Sequence, residues 1–283
     1  MSTRRTLRSV LLEKALPERR KVGIGVVAPT EALVAGLRRA EAYCEPRVYG
    51  AEVPGFASVA SAAPEDALLS DLENGVVDAA VRGQIHALAF RRRFVRPYGA
   101  SFQPLDEMVT VLEFPDGRPL LAGPVSNITA GTLEEKRKLL EASIRFCELA
   151  GLPIRIGLLA QCREEDLEEL AGTPLEQVYR DTDRLVELFG DRHDVRNYGV
   201  DFEKANEDGV TILIEPNGTT CNQVVRSLCF LDAVRFFGCP YMGARHVVVE
   251  TFRNARDFPD VLLLAAALAN SSRGEKGGNA PWR

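Results

Sequence analysis

Short apolar runs alternate with amphipathic stretches along most of the chain. In the first third, a buried strand is predicted at 22–28, and further strands at 47–53 and 76–81. Helices are predicted at 31–42 and 64–74, and a leading helix at 4–16. Thr30 is placed to cap the helix at 31–42. Because β-α-β-α-β alternation requires crossover connections, it predicts a parallel sheet covered by helices on both faces.

The middle of the chain begins with an irregular segment. Residues 91–105 contain a basic cluster, two prolines and a glycine, which predicts a surface loop or a crossing between domains. An antiparallel hairpin is predicted from strands at 107–114 and 119–125, and a long helix at 132–150 opens with the capping box Thr132 to Glu135. Further strands are predicted at 154–160, 193–199 and 210–214, and charged outer helices at 164–171 and 174–189.

The stretch from Val210 to Asn270 contains the main candidate chemistry. Its pattern predicts a strand, a short loop, an apolar helix, a Gly/Pro loop, a strand, a polar loop and a helix. The first strand stops at the Glu-Pro-Asn-Gly turn 215–218, and either Thr219 or Thr220 is placed to cap the helix that follows. Asn222 and Arg226 share one face near its start. A helix N-terminus, an amide and a guanidinium together predict an anion pocket, at the strand end where open α/β sheets bind ligands.

Composition limits the class of protein. The chain has 283 residues, 46% apolar and 27% charged, enough for one large α/β unit or two modest domains. A net charge of −5 gives no case for nucleic acid or an anionic membrane as the main partner. Six scattered cysteines, no apolar stretch that could span a bilayer and no signal-peptide pattern lead us to expect a soluble, cytoplasmic protein.

Three weaker motifs favour structural roles or stay open. Gly23 and Gly25 lack the third glycine of a dinucleotide fingerprint, so we interpret them as packing glycines. The strand end at Arg82 and Gly83 is compatible with an anion contact or with a surface salt bridge. The three histidines share no ligand spacing, and no metal site is expected.

Four segments resemble motifs of one superfamily. They are the strand at 75–83, the helix entry at 120–136, the loop and helix start at 215–226, and the segment at 243–253. On these residues the chain resembles the phosphate acetyl/butyryltransferase superfamily, whose fold is similar to that of isocitrate/isopropylmalate dehydrogenases. Within it, the chain resembles the MtxX group of methanogenic archaea, labelled as a methyltransferase subunit or a methanogenesis marker.

The motifs also depart from the superfamily pattern. Cys221 stands where the superfamily has glycine, and Arg226 stands where it has lysine. Phe252 replaces the serine of a Ser-Arg pair whose arginine is kept as Arg253. The positive charges are therefore kept while the hydroxyl is lost, which favours chemistry other than acetyl phosphate formation.

The resemblance implies a fold and a set of site residues. It implies two α/β domains of three-layer αβα architecture, residues 1–104 with 239–283 and residues 105–238, with a cleft between them. The residues implied to bind the substrate are Arg82, Gly83, Asn127, Asn217, Thr219, Asn222, Arg226, Arg253 and Asp257.

The implied function is group transfer. We expect a methyltransferase, or a subunit of one, that binds a small anionic substrate or cofactor such as CoA, a pterin or another phosphate-bearing ligand. The family implies a homodimer and possible further methyltransferase subunits. No nucleophile is evident, so no catalytic residue is named and direct transfer between two bound ligands is expected. The alternatives are a phosphate acyltransferase that uses acyl-CoA and phosphate, and a non-enzymatic binding subunit. A decarboxylating dehydrogenase would need metal-binding aspartates that we do not find.

Overall fold

The chain divides into two compact units. The computed structural model describes residues 5–95, 108–125, 131–242, 244–252 and 255–271. One unit, here the N/C unit, comprises Arg8–Gln103 and Phe236–Arg283, and the other, the middle unit, comprises Met1–Leu7 and Pro104–Arg235. That these units fold as independent domains stays a prediction.

The elements alternate strand and helix along most of the chain. Up to the first gap they are α1 (Leu7–Ala15), β1 (Arg20–Val26), α2 (Glu31–Ala40), β2 (Cys44–Gly50), β3 (Ala57–Ala60), α3 (Pro64–Glu73), β4 (Ala79–Val81) and α4 (Ala87–Val95). After it come β5 (Thr110–Glu113), β6 (Pro119–Gly123), α5 (Leu133–Ala150), β7 (Arg155–Leu158), a 3₁₀ turn (Glu164–Asp166), α6 (Pro174–Gly190), β8 (Asp194–Asn197), α7 (Phe202–Glu207), β9 (Ile212–Ile214) and α8 (Gly218–Phe230). The last elements are β10 (Arg235–Pro240), β11 (Val247–Glu250) and α9 (Pro259–Ser271).

The N/C unit is built on a mostly parallel sheet. Its strand order is β3-β2-β1-β4-β11-β10, and β10 alone runs antiparallel to its neighbour β11. The apolar helix α9 has every residue from Val261 to Ala269 buried, so it forms part of the core rather than a surface layer. Thr30 caps α2 by accepting from the backbone N–H of Leu33 at 3.2 Å, as its position in the sequence predicts.

The middle unit has strand order β5-β6-β9-β7-β8. The hairpin β5–β6 is antiparallel, as predicted, and β6, β9, β7 and β8 run parallel, so their carboxyl ends meet at one edge of the sheet. The long helix α5 follows β6, and its Thr132 and Glu135 form the predicted capping box. α8 follows β9 and begins at that same edge.

Four local predictions are wrong. Residues 91–95, predicted as loop, continue the helix α4, because Ala, Leu and Arg are strong helix formers. The helix predicted at 164–171 is only a 3₁₀ turn at Glu164–Asp166. The short edge strand β3 is not predicted, because its sequence carries no alternating pattern. The strand β10 lies where the sequence predicts a Gly/Pro loop. Its Pro240 is the last strand residue.

No helix in the described ranges is both long and apolar enough to cross a bilayer.

Candidate functional site

The helix α8 starts directly behind the carboxyl end of β9. Only Glu215, Pro216 and Asn217 connect the two elements, and Asn217 is the N-cap. Its side-chain oxygen accepts from the backbone N–H groups of Thr219 and Thr220, each at 3.0 Å, and from the Thr220 hydroxyl at 3.1 Å. The predicted cap at Thr219 or Thr220 is therefore wrong. The helix begins two residues earlier than a cap at Thr219 would place it, because Asn217 in extended conformation can reach both N–H groups.

This cap limits what the helix N-terminus can offer to an anion. Two of the first N–H groups, those of Thr219 and Thr220, already donate to Asn217. In the described part of the chain the N–H of Gly218 carries no such bond, and the side chain of Thr219 is exposed. The buried Gly218 thus has an N–H that does not bond to the cap, and the exposed Thr219 hydroxyl can contact an anion without displacing the cap.

Two predicted site residues lie further along the same helix. Asn222 is half-buried, and Arg226 is exposed one turn later with its guanidinium 5.3 Å from the centre of the Phe230 ring. Within the described ranges no carboxylate forms an ion pair with Arg226, whereas Arg39, Arg82 and Arg163 each have one. The positive charge of Arg226 is therefore available to a ligand.

The thiols of α8 are poor nucleophiles. Cys221, in the first turn, is 1% exposed. Burial raises the pKa of Cys229 to about 12, although Arg226 opposes the shift. A thiol with so high a pKa is almost entirely protonated at neutral pH, so the helix offers no activated cysteine at this position.

Glu215 is a buried carboxyl that the sequence indicates only as part of a turn. It is 1% exposed, and its Oε1 has no hydrogen-bond partner among the residues that the structure describes. Burial raises the pKa of Glu215 to about 7. The signal that marks it in the sequence is an acidic residue placed between an apolar strand and a proline.

Lys136 is a second buried ionisable group of the middle unit. It lies in α5 at 4% exposure. Burial lowers the pKa of the Lys136 ammonium, and the charge of Asp181 opposes the shift. The sequence motif includes this lysine, but the helical pattern alone does not indicate that it is buried.

In the N/C unit, Arg82 is the centre of a buried network. Its Nε donates to the Glu250 carboxylate, and its terminal nitrogens donate to the backbone oxygens of Gly83, Ile85 and Thr251. Glu250 also accepts from the Tyr241 hydroxyl at 2.7 Å. Of the two roles left open for Arg82, the structure shows a salt bridge, although a buried one rather than one at the surface, and an anion contact stays a prediction.

Gly83 is fixed by its conformation and its close neighbour. Its φ is +61°, and an added Cβ would lie 2.1 Å from the backbone oxygen of Gly25. Gly23 and Gly25 are packing glycines, as expected, because a Cβ there would lie 2.4 Å from Leu68 and 2.2 Å from Ile85, respectively.

The segment near the superfamily's Ser-Arg pair carries aromatic packing. The Phe252 ring stacks on Phe236 with centroids 4.2 Å apart, so an aromatic pair occupies this position of the motif. Asp257 accepts from Arg39 of α2 at 2.5 Å. Asn127 and Arg253 lie outside the described residues.

The structure thus brings together four of the predicted residues, Asn217, Thr219, Asn222 and Arg226, within one helix and its cap. Arg82, Gly83 and Asp257 belong to the N/C unit. Within the described ranges there is no group of three or more histidine, cysteine, aspartate or glutamate side chains that could hold a metal ion.

Comparison with known proteins places the chain in a family. No family model matches it. It is 30% identical over 213 residues to an "Uncharacterized methyltransferase" of Methanopyrus kandleri, covering 73% of this chain and 80% of that protein. It is 24% identical over 215 residues to the "Putative methyltransferase mtx subunit X" of Methanosarcina barkeri, covering 74% of this chain and 76% of that protein.

The fold has solved counterparts. A branched-chain phosphotransacylase from Enterococcus faecalis superposes with a TM-score of 0.64 at 17% identity, over 89% of this chain and 99% of that one. A likeness at this identity concerns the fold alone. It confirms the predicted phosphotransacetylase-like α/β fold. The chain therefore belongs to the MtxX family of proteins named methyltransferases, and its fold is phosphotransacetylase-like.

Proposed function

We propose that this protein is a group transferase, either a methyltransferase or a subunit of one, that binds a small anionic ligand at the start of α8. The observation that carries the proposal is the environment of Arg226. This arginine is exposed, lies two turns into α8 and has no acidic partner in the described structure. The helix itself begins at the carboxyl end of the strand β9. A guanidinium in this position suits a phosphate or carboxylate group of a cofactor such as CoA or a pterin.

The ligand contacts follow from the order of groups along α8. The Gly218 N–H and the Thr219 hydroxyl lie at the first turn, Asn222 one turn further, and Arg226 one turn beyond. Arg226 and the first turn would hold anionic groups, and the Asn222 amide would orient the carbonyl or methyl carrier that reacts. Arg253 stays a predicted anion contact.

Direct transfer between two bound ligands suits these residues better than a covalent intermediate. An attacking side chain would need a lowered pKa or a neighbouring base. Burial instead raises the pKa of Cys229 to about 12, and Cys221 is buried at 1% exposure. The protein's contribution is then to position a methyl donor and an acceptor and to exclude water.

Phosphate acyl transfer is the alternative that the solved counterparts suggest. The stacked ring of Phe252 stands in the motif where the superfamily has a serine hydroxyl, and this disfavours the alternative. A non-enzymatic binding subunit is the other alternative, and the name of the Methanosarcina barkeri relative includes the word "subunit". It needs the same anion contacts without turnover.

The test is a pair of turnover assays on the full chain. The first measures methyl transfer from methyltetrahydrofolate to a thiol acceptor, and the second measures acyl phosphate formation from acyl-CoA and phosphate. We expect activity in the first assay, at least tenfold lower in Arg226→Ala and unchanged in Arg184→Ala. Arg184 is a suitable control because it is a 58% exposed arginine of α6 in the same unit.

Activity in the second assay alone would replace the proposal with acyl transfer. If a ligand binds in a manner that depends on Arg226 but neither assay shows turnover, the alternative of a non-enzymatic binding subunit is favoured.

A further inference from the structure

Glu215 differs from the other buried acids in the described part of the chain. Glu250 is bound by Arg82 and Tyr241, Asp201 by Arg163 and Lys204, and Glu113 by Arg235. Glu215 is more buried than any of them, and its Oε1 has no partner. A buried polar atom without a hydrogen bond destabilises the fold, so its presence calls for a reason other than stability.

Its place in the sheet is well defined. The backbone N–H of Glu215 donates to Gly123 of β6 at 2.8 Å, and Leu159, just past β7, donates to Ile214 at 2.8 Å. Glu215 therefore continues β9 by one residue between β6 and β7. From Glu215 to Gly218, the first residue of α8, is three residues, so their Cα atoms are within about 11 Å.

The side chain of Glu215 points to the face of the sheet opposite α5. Gly123 is paired with Ile214, and a Cβ on Gly123 would lie 2.9 Å from Leu139 of α5, so Ile214 faces α5. Alternation along the strand turns Leu213 and Glu215 to the other face. Leu213 lines a small pocket there with Phe202 of α7, which confirms the direction.

The helix α8 begins at the same edge of the sheet. Glu215, Pro216 and Asn217 lead directly from β9 into α8, and α8 packs against β6, the neighbour of β9. Glu215 and the first turn of α8 thus share the carboxyl edge of the sheet.

No nearby charge explains the state of the carboxyl. The strand β7 and the helices α5, α7 and α8 carry these charged or titratable groups: Arg155 of β7; Glu134, Glu135, Lys136, Arg137, Lys138, Glu141, Arg145, Cys147 and Glu148 of α5; Glu203, Lys204 and Glu207 of α7; and Cys221, Arg226 and Cys229 of α8. None of them contributes to the raised pKa of Glu215, for which burial is the sole cause. Near neutral pH a large share of the molecules therefore carry a protonated Glu215.

We infer that Glu215 is a ligand-binding residue of this site that donates a hydrogen bond from its protonated carboxyl to an oxyanion held at the start of α8. The inference rests on the proposed function, because it assumes the anion contacts of Gly218, Thr219 and Arg226. A neutral acid donates to a phosphate or carboxylate oxygen, whereas an ionised one repels it. Anion binding is then linked to the protonation of Glu215.

Linkage fixes the expected pH dependence. Above the Glu215 pKa of about 7, the anion and the proton must be taken up together, so the affinity falls about tenfold per pH unit. Glutamine donates from its amide at every pH. Glu215→Gln is therefore expected to keep the affinity that the wild type has at low pH and to lose the pH dependence.

The experiment is calorimetric titration of the full chain with sulfate and, separately, with succinate from about pH 6.5 to about pH 9. Both probes keep a constant charge in this range, so any pH dependence comes from the protein. Sulfate stands for a phosphate group and succinate for a carboxylate, and the tighter of the two identifies the source of the oxyanion. Glu113→Gln, at a buried glutamate paired with Arg235 in the same unit, is the matched control and keeps the wild-type slope.

The outcomes separate this inference from the proposed function. Binding that is lost in Arg226→Ala but has the same pH slope in the wild type and in Glu215→Gln overturns the role of Glu215 and leaves the function standing. Absence of binding of either anion to the wild type at every pH overturns the role of Glu215, and the proposed function falls as well if coenzyme A and methyltetrahydrofolate also fail to bind.

Discussion

The side-chain oxygen of Asn217 accepts a hydrogen bond from the backbone N–H of Thr219 at 3.0 Å, and this bond sets the start of α8. The same oxygen accepts from Thr220, so one side chain satisfies two N–H groups that would otherwise be open to a ligand. The proposed anion site thus offers fewer backbone N–H groups than the sequence suggests. It comprises the donors of the first turn of α8 that do not bond to Asn217, together with Arg226.

The first prediction concerns this cap. Asn217→Ala removes the acceptor for two N–H groups and is expected to lower the free energy of unfolding by about 1 kcal/mol. Asn217→Asp keeps an acceptor and is expected to change the free energy of unfolding by only a few tenths of a kcal/mol. Urea unfolding of both variants measures this. Thr219→Ala is the control, and a loss there as large as in Asn217→Ala would contradict the assignment of the cap.

The second prediction concerns the buried pair of Arg82 and Glu250. Arg82→Met leaves a carboxylate buried without its cation and is expected to cost about 3 to 5 kcal/mol of stability. The double variant Arg82→Met with Glu250→Met buries no charge, so we expect it to regain a large part of that loss. Urea unfolding of the single and double variants measures the coupling. Equal stability of the single and double variants would show that the pair is not coupled.

The third prediction concerns Gly83 and uses Gly75 as its match. Both have positive φ, +61° and +69°, but only Gly83 has a backbone atom where a Cβ would lie. Gly75→Ala should cost about 1 kcal/mol, from conformation alone. Gly83→Ala should cost about 3 kcal/mol or more, because Ile24 and Gly25 must move as well. Similar melting temperatures for the two variants would speak against the close contact.

The fourth prediction is a pH dependence of stability caused by Glu215. Its pKa is raised from 4.5 to about 7 on folding, so the native state binds a proton more tightly than the unfolded chain does. Stability is therefore lost as the pH rises from the unfolded pKa through the folded one, by about 3 kcal/mol in total. Glu215→Gln removes this penalty.

Urea unfolding of the wild type and Glu215→Gln at about pH 5 and about pH 8 checks this prediction. We expect the variant to be more stable at the higher pH and the difference to shrink at the lower one. A constant difference between the two proteins would mean that Glu215 does not change its protonation on folding.

Local sequence patterns predict those parts of the fold that depend on residues close together in the chain. Thr30, and the pair Thr132 and Glu135, cap their helices as the sequence predicts, because each cap involves residues only three apart. The strand β10 was missed because its glycine and proline indicate a loop, and its pairing with β11 is a tertiary contact.

The candidate site was predictable only in part. The spacing of Asn222 and Arg226 places them on one face of α8, as expected. The partner of Arg82 could not be predicted, because Glu250 is 168 residues away in the chain. The burial of Glu215 depends likewise on the strands β6 and β7 on either side of it, so the sequence indicates a turn where the structure has a buried acid.

The most direct test of the central claim is the affinity of Arg226→Ala and Arg184→Ala for coenzyme A, methyltetrahydrofolate and sulfate, measured by calorimetry beside the wild type. We predict that at least one of these ligands binds the wild type, that Arg226→Ala weakens it at least tenfold, and that Arg184→Ala leaves it within about twofold. No binding of any of the three, or equal effects of the two substitutions, would contradict an anion site at the start of α8.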